Sequence, residues 1–285
     1  MEQLNFPAFR QALEQFTAKD AATKDPVIQV VTDESINEEL RIRIYRNRPV
    51  ETKLPVFIFL HGGGWVRGSL STHDYVCRRL AADGAFAVIA VDYRLAPEHP
   101  FPAPLEDAFQ ALRWVMEHAA DINIDTNRIA VGGDSAGGNL ALALALKAKA
   151  HAIPLKALVV AYPPVNYDFS TPSYQKFATG YALTTSLMKT FWDAYVPDDK
   201  RRLDPLASVI KNDFTALPPV LIIGSDTDPL HDDGKLLLER LMAHGVRARY
   251  SFYPGAGHAF LLMMATEGPA VLAKEEIVAF LKAQL

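Results

Sequence analysis

The 285-residue sequence predicts a single α/β domain in which helices cover both faces of a mostly parallel sheet. Three observations support this fold class. Short, fully apolar runs recur from residue 54 onward, and such strands need cover on both faces. Segments of helical periodicity separate these runs, as expected of βαβ units. The composition, with 49% hydrophobic and 22% charged residues, is that of a globular protein with a large core.

The first 50 residues predict a helix followed by an antiparallel pair of strands. The strands are expected in VIQVV (27–31) and LRIRIYR (40–46), which alternate as half-buried strands do. The segment TDESINEE between them reads as the connecting turn. The helix is predicted from four apolar residues that recur at helical spacing, namely Phe6, Phe9, Leu13 and Phe16.

Apolar strands and helices alternate over the rest of the chain. The predicted strands are PVFIFL (55–60), FAVIAVDY (86–93), IAVGG (129–133), LKALVVAY (155–162), PPVLIIG (218–224) and RARYSFY (247–253). Helices are predicted near 72–83, near 104–119, directly after Ser135, near 232–244 and near 268–284. Residues 167–200 interrupt this alternation with many aromatic residues, and an insertion of that size is usually functional or a lid. Together with the first helix, it is expected to cover the sheet edge where ligands bind.

The charge balance and the single cysteine limit the partners and the compartment. The net charge of −4 and the absence of a basic run give no reason to expect nucleic acid or an anionic membrane surface. A small neutral or weakly polar ligand is the expectation. Cys77 cannot form an intrachain disulfide, and the sequence shows neither a signal-peptide pattern nor a long apolar span. We therefore expect a cytoplasmic protein.

A serine lies at a glycine-rich junction between a predicted strand and a predicted helix. Gly133-Asp134-Ser135-Ala136-Gly137 fits G-x-S-x-G between RIAV and NLALALALKAKA, the context in which this motif marks a nucleophile. Glycines two residues to either side avoid a collision with neighbouring backbone in a tight turn. Taken alone, the motif is also compatible with a turn whose serine caps the helix.

A second glycine-rich segment, HGGGWVRGS (61–69), directly follows the predicted strand PVFIFL. Its consecutive glycines leave backbone N–H groups uncovered, and acyl transfer needs such donors for its oxyanion. We expect an oxyanion formed at Ser135 to be held by N–H groups of this loop and by that of Ala136.

A base and an orienting acid are available after the last two predicted strands. His258 lies in the glycine-rich loop YPGAGHAF, and His231 is its only rival as the base. Asp226 and Asp228 are the candidates for the acid. Pro229 restricts the backbone of Asp228, but physics alone does not separate the two carboxylates. The order serine, aspartate, histidine is that of the α/β hydrolases.

Five ordered motifs, HGGGW, VDYRLAPEHPFPAPLEDA, GGDSAGGN, SDTDPLHDDG and GAGHAF, resemble those of the bacterial hormone-sensitive-lipase-like (family IV) esterases of the α/β-hydrolase fold. The resemblance runs from about residue 54 to the end. It implies that Asp228 is the triad acid and that Gly63 and Gly64 supply oxyanion donors together with Ala136. It also implies a small helical cap, built here from about residues 1–20 and 167–200, and a possible homodimer.

The motifs and the resemblance together predict a serine carboxylesterase that hydrolyses short-acyl-chain esters through an acyl-enzyme. Ser135 is the predicted nucleophile, His258 the base and Asp228 the acid, and neither a metal nor an organic cofactor is required. An amidase or deacetylase with the same triad is one alternative. A non-catalytic small-molecule-binding homologue is another, although the presence of all three triad residues argues against it.

Three smaller expectations concern charged and polar residues around these motifs. Arg94 and Glu98 are expected to form an ion pair. Asp134 and Asn139 are expected to brace the turn around the serine through hydrogen bonds. His73 is expected to face solvent.

Overall fold

A computed structural model describes residues 4–24, 26, 28–263 and 268–285 of the chain. Within these ranges, eight strands form one sheet in the order β1-β2-β4-β3-β5-β6-β7-β8. The pairs from β4 to β8 are parallel, whereas β1 and β2 add two antiparallel pairs at one edge. The strands are β1 (Val30–Ser35), β2 (Arg41–Arg46), β3 (Leu54–Leu60), β4 (Ala87–Asp92), β5 (Ile124–Asp134), β6 (Ala157–Ala161), β7 (Val220–Thr227) and β8 (Ala248–Gly257).

Helices cover both faces of this sheet. Helices α3, α4 and α7 pack on one face, and α2 and α8 pack on the other. The helices are α1 (Phe6–Lys24), α2 (Asp74–Asp83), α3 (Ala103–Glu117), α4 (Ala136–Ala150), α5 (Pro172–Lys176), α6 (Thr185–Tyr195), α7 (His231–Ala243) and α8 (Pro269–Gln284). In the part of the chain that the structure describes, no helix is both long and apolar enough to cross a membrane.

Strand β3 shows why the apolar runs have no polar alternation. Val56 and Ile58 face the α3 and α4 side of the sheet, whereas Phe57 and Phe59 face the α2 and α8 side. All seven residues of the strand are buried. Because both faces of a central parallel strand are covered, both sets of side chains must be apolar. The predicted doubly wound α/β architecture is confirmed.

The N-terminal strands differ from the sequence expectation. Strand β1 continues through Ser35, so half of the segment predicted as a turn is paired with β2. Asp33 lies opposite Arg43 and accepts hydrogen bonds from its Nε and Nη2. At an exposed sheet edge, such a cross-strand ion pair makes charged residues compatible with a strand. The actual turn is closed by Asn37, whose Oδ1 accepts hydrogen bonds from the backbone N–H groups of Glu39 and Leu40. Val27, part of the predicted first strand, lies outside the described residues.

The expected Arg94–Glu98 ion pair is wrong. Arg94 instead binds Asp107 on α3, with Nη2 to Oδ1 at 2.8 Å and Nε to Oδ2 at 2.9 Å. Asp107 is buried, so it requires a charged or hydrogen-bonding partner, whereas Glu98 is exposed. Glu98 pairs with Arg10 of α1 at 2.6 Å, and Arg10 Nε also donates to the Val66 carbonyl at 2.7 Å. These contacts hold α1 against the glycine loop that follows β3.

Candidate active site

Three residues that lie far apart in the sequence meet at the carboxyl ends of β5, β7 and β8. Ser135 Oγ lies 2.9 Å from His258 Nε2, and His258 Nδ1 lies 2.7 Å from Asp228 Oδ2. Ser135, Asp228 and His258 are the first residues after β5, β7 and β8, respectively. A hydroxyl hydrogen-bonded to an imidazole, which is in turn held by a buried carboxylate, is the arrangement that activates a serine nucleophile.

The turn that carries Ser135 is strained and closely packed. Ser135 has φ 52° and ψ −120°, a conformation that non-glycine residues seldom adopt. A Cβ atom at either Gly133 or Gly137 would overlap the carbonyl oxygen of Leu60 on β3. The glycines therefore let the turn pack directly against the neighbouring strand. The Ser135 side chain makes no capping hydrogen bond to α4, so the alternative in which it merely caps the helix is wrong.

The two adjacent glycines at the start of α4 provide a matched test of this packing. Gly137→Ala places a methyl group against the Leu60 carbonyl, so we expect the protein to lose about 1–3 kcal/mol of unfolding free energy and at least about 10-fold in esterase activity. At Gly138 the nearest atom to an added Cβ is Pro163 Cβ at 3.1 Å, and alanine favours a helix. Urea unfolding and initial rates of the two variants should therefore diverge, and equal losses would contradict the packing argument.

The structure separates the two candidate acids. Asp228 is fully buried, and besides His258 it receives hydrogen bonds from the Leu230 N–H at 2.9 Å and from the Ser225 hydroxyl. These bonds fix the carboxylate toward the imidazole. Asp226 instead accepts the Gly255 N–H at 2.9 Å and braces the loop that precedes the histidine.

The rival base is directed elsewhere. His231 begins α7, and its Nδ1 donates to the Ser225 carbonyl at 2.9 Å. Its ring packs edge-on against Phe252, with 5.4 Å between the ring centres. The structure therefore brings His258, and not His231, to the Ser135 hydroxyl.

Three backbone N–H groups near Ser135 are free to bind an oxyanion. Gly63 has φ 126° and Gly64 has φ 65°, and both line the cavity that contains the serine. Among the described residues, the N–H groups of Gly63, Gly64 and Ala136 have no protein acceptor. The Ser135 N–H, by contrast, donates to the Ala161 carbonyl at 2.8 Å and is already satisfied. The unpaired donors are those that the sequence motifs single out.

A buried carboxylate connects the glycine loop to the serine turn. Asp134 Oδ1 accepts the Gly62 N–H at 2.8 Å and lies 3.2 Å from His73 Nε2. Although burial alone would raise the pKa of Asp134, the nearby His73 and the Gly62 N–H hold it below its usual value. The Asn139 amide donates to the carbonyls of Pro164 and Ala207, so the bracing expected of both polar residues is observed.

The expectation that His73 faces solvent is wrong. Its side chain is buried between the carboxylate of Asp134 and the ring of His61. The local sequence does not show this, because the carboxylate that draws the imidazole inward lies 61 positions further along the chain. A buried carboxylate of this kind requires a cationic or hydrogen-bonding partner.

Because His61 is buried, it is expected to make the free energy of unfolding depend on pH. Its ring stacks on Tyr93, and burial together with the neighbouring His73 lowers its pKa to about 4. In the unfolded chain the pKa of histidine is about 6.5, so on acidification the unfolded state binds this proton first. The stabilisation is complete above about pH 6.5 and is lost progressively as the pH falls toward 4.

We expect the unfolding free energy, measured in urea from pH 7.5 to pH 4.5, to decrease on acidification. The decrease should be smaller in His61→Asn, whose amide can still donate to the Gly62 carbonyl that His61 Nδ1 contacts at 2.9 Å. His151→Asn, at an exposed position, is the matched control and should retain the wild-type slope. An unchanged slope in His61→Asn would contradict this assignment.

A cavity of about 70 Å³ opens above Ser135 and His258. Its apolar wall includes Leu13 from α1 and Phe191 from α6. Arg67 also lines the cavity, although its sequence pattern predicted no role for it. The available signal was a charged residue inside an otherwise apolar and glycine-rich run. The remaining lining residues are Gly62, Gly63, Gly64, His73, Asp134, Ala182, Leu183, Ala259 and Leu262. Within the described ranges, no group of three or more acidic, histidine or cysteine side chains is arranged to hold a metal ion.

Comparisons with known proteins agree with this geometry. A family described as the alpha/beta hydrolase fold matches residues 57–262. Carboxylesterase NlhH of Mycobacterium tuberculosis is 40% identical over 228 residues, which cover 78% of this chain and 72% of that protein. An ethyl acetate hydrolase of Pseudomonas putida is 38% identical over 233 residues, covering 79% and 72%. The solved structure of the Pyrobaculum calidifontis esterase is similar with a TM-score of 0.94 and 38% identity, covering 98% of this chain and 93% of that one. The chain therefore belongs to the hormone-sensitive-lipase-like (family IV) carboxylesterases of the α/β-hydrolase fold.

Proposed function

We propose that this protein hydrolyses short-acyl-chain carboxylic esters through an acyl-enzyme formed on Ser135. The observation that carries the proposal is the continuous hydrogen-bonded chain from Asp228 through His258 to Ser135 Oγ, beside unpaired backbone N–H groups. Such a chain raises the nucleophilicity of a serine, and such donors stabilise the oxyanion of acyl transfer.

The first half of the reaction transfers the acyl group to the enzyme. Ser135 Oγ attacks the ester carbonyl carbon while its proton passes to His258 Nε2. The negative charge that develops on the carbonyl oxygen is held by the N–H groups of Gly63, Gly64 and Ala136, each such donor typically contributing about 10²- to 10³-fold in rate. The tetrahedral intermediate then collapses, and the leaving alkoxide takes the proton from Nε2 and departs as the alcohol.

The second half releases the acid. A water molecule gives a proton to His258 Nε2 and attacks the acyl carbon, and collapse of the second tetrahedral intermediate returns the proton to Ser135. Asp228 keeps the Nδ1–H tautomer throughout, so that Nε2 is the basic nitrogen facing the serine.

The preference for short acyl chains rests on the size of the cavity and on one relative. The cavity of about 70 Å³ is bounded by Leu13, Leu183 and Phe191, which come from the two segments expected to form the cap. We propose that α1 and residues 167–200 act as this cap. The ethyl acetate hydrolase of Pseudomonas putida is named for a two-carbon acyl group, which supports the same preference.

A fluorophosphonate probe and a series of p-nitrophenyl esters test the proposal. We expect one probe per chain, attached to Ser135 by mass spectrometry, and rates that collapse between acetate and decanoate as the acyl chain outgrows the cavity. No labelling at Ser135 would refute the acyl-enzyme and favour the non-catalytic alternative. Faster cleavage of p-nitroanilides than of matched esters would favour an amidase or a deacetylase.

Location and assembly stay predictions. The cytoplasmic location rests on Cys77, the only cysteine, which is buried and whose pKa is raised by burial, so its thiol is poorly reactive. The homodimer rests on the family resemblance. Cell fractionation and light scattering measure the two properties directly.

A further inference from the structure

A positively charged side chain lines the cavity of the candidate active site. Arg67 follows the glycine loop, and its backbone N–H donates to the Gly63 carbonyl at 3.2 Å. Arg67 forms part of the wall of the cavity together with Ser135, His258 and Phe191. Its guanidinium is therefore carried by a residue that borders the reacting atoms.

Within the described part of the chain, this guanidinium has no carboxylate partner. Among the described residues, Arg67 makes no ion pair and no side-chain hydrogen bond, and its buried Nε has no acceptor. The ring of Phe9 lies 3.8 Å from the guanidinium carbon. Arg43 and Arg94, by contrast, each bind a carboxylate. A partly buried donor without an acceptor is unfavourable until a ligand satisfies it.

The carboxylate among the residues that line the cavity is already engaged. Asp134 also lines the cavity, but its carboxylate is held by His73 and the Gly62 N–H. Burial lowers the pKa of Arg67 to about 10, and no carboxylate of the described residues opposes this shift. The side chain is nevertheless cationic at neutral pH, so the cavity presents one positive charge that no described carboxylate compensates.

We propose that Arg67 binds a carboxylate carried by the substrate, so that the enzyme prefers esters with a free carboxylate, such as half-esters of short dicarboxylic acids, over neutral esters of the same size. A planar guanidinium matches a carboxylate with two parallel hydrogen bonds. This inference rests on the proposed esterase function and names its substrate class. The carboxylate can belong to the acyl part or to the alcohol part of the ester, and the experiment below distinguishes the two.

Two matched substrate pairs test the proposal. Monoethyl succinate carries the carboxylate on the acyl side, and ethyl succinamate replaces it by a neutral amide of the same shape. Acetoxyacetate carries the carboxylate on the alcohol side, and acetoxyacetamide is its neutral counterpart. The measured quantity is the ratio of kcat/KM for the charged and neutral members of each pair, compared between variants so that the intrinsic reactivity of the esters cancels.

We expect Arg67→Met to lower this ratio by about 10- to 100-fold for one of the two pairs, as loss of a charge-assisted hydrogen bond does. Arg67→Lys keeps the charge without the planar fork, so its ratio should fall between those of the wild type and Arg67→Met. Arg113→Met removes an equal charge from the exposed face of α3, where Arg113 pairs with Glu117, and should leave the ratio unchanged. An equal ratio in the wild type and Arg67→Met for both pairs would overturn the proposal.

Two further measurements separate this inference from a structural role and from the proposed function. If Arg67 only supports α1 through Phe9, then Phe9→Leu should reproduce the effect of Arg67→Met, which would overturn the proposal. Calorimetry in the Ser135→Ala background measures binding of the charged ester without turnover, and adding Arg67→Met should abolish that binding. A wild type that cleaves p-nitrophenyl acetate without any carboxylate preference refutes this inference alone, whereas one that cleaves no ester refutes the proposed function.

Discussion

Ser135→Ala is expected to lose ester hydrolysis by a factor on the order of 10⁶ while it remains folded. The substitution removes one oxygen atom from a side chain that is 7% exposed, and it leaves the Ser135 N–H bond to the Ala161 carbonyl in place. Alanine also keeps the Cβ that serine already places in this strained conformation, so the turn gains no new strain. Without the hydroxyl, no covalent acyl intermediate can form.

Initial rates with p-nitrophenyl acetate, together with circular dichroism and thermal unfolding, check this expectation. Ser251→Ala is the matched control, because Ser251 lies on β8 and its hydroxyl donates to Glu276, a residue of α8 outside the cavity. That control should keep activity within a few-fold of wild type. A folded Ser135→Ala protein with most of its activity would remove Ser135 from the mechanism.

Asp228→Asn is expected to reduce kcat by a factor on the order of 10⁴. The carboxylate accepts the Nδ1 proton of His258 at 2.7 Å and so leaves Nε2 as the base that faces the serine. The local bonds from Ser225 and the Leu230 N–H occupy the acceptor positions of the carboxylate. In an asparagine that keeps its oxygen on the Leu230 N–H, the amide N–H₂ takes the place of Oδ2, faces Nδ1 and stabilises the tautomer that has its proton on Nε2.

Asp226→Asn supplies the control for this loss. Asp226 lies two residues away and accepts only the Gly255 N–H among the described residues, a bond that the asparagine oxygen can retain. We expect a reduction of less than about 10-fold, measured as kcat for the same ester at the same pH. If the two variants lost equal activity, orientation of His258 by Asp228 would be wrong.

Local sequence patterns were sufficient to predict the layered fold and the glycine-rich turns. The uninterrupted apolar run of β3 reports burial on both faces, a property of the strand itself. Similarly, glycines flank Ser135 at positions 133 and 137 because the Cβ atom of any other residue there would overlap the Leu60 carbonyl oxygen. In each case the residue type itself records the constraint: apolar side chains record burial on both faces, and a glycine records that there is no room for a Cβ.

The partners of charged and polar side chains were not predictable in the same way. Arg94 binds Asp107 rather than Glu98, which is nearer in the sequence, because the buried carboxylate of Asp107 on α3 requires a partner. His73 is buried by a carboxylate 61 positions away, and Arg67 enters the cavity through the path of its loop. Burial depends on packing among distant segments, and no local periodicity records it. For the acid, spacing left Asp226 and Asp228 equivalent until the family resemblance favoured Asp228.

Because the Gly62 N–H is hydrogen-bonded to Asp134, we expect two parts of the cavity wall to differ in how well they tolerate amino-acid substitutions. It joins the loop after β3 to the residue before the nucleophile, and these two segments form the floor of the cavity. The roof consists of the side chains of Leu13, Leu183 and Phe191, which take no part in this hydrogen bond. Libraries that vary the roof should yield many active catalysts for bulkier acids or alcohols, whereas libraries at Gly62 and Gly137 should yield almost none.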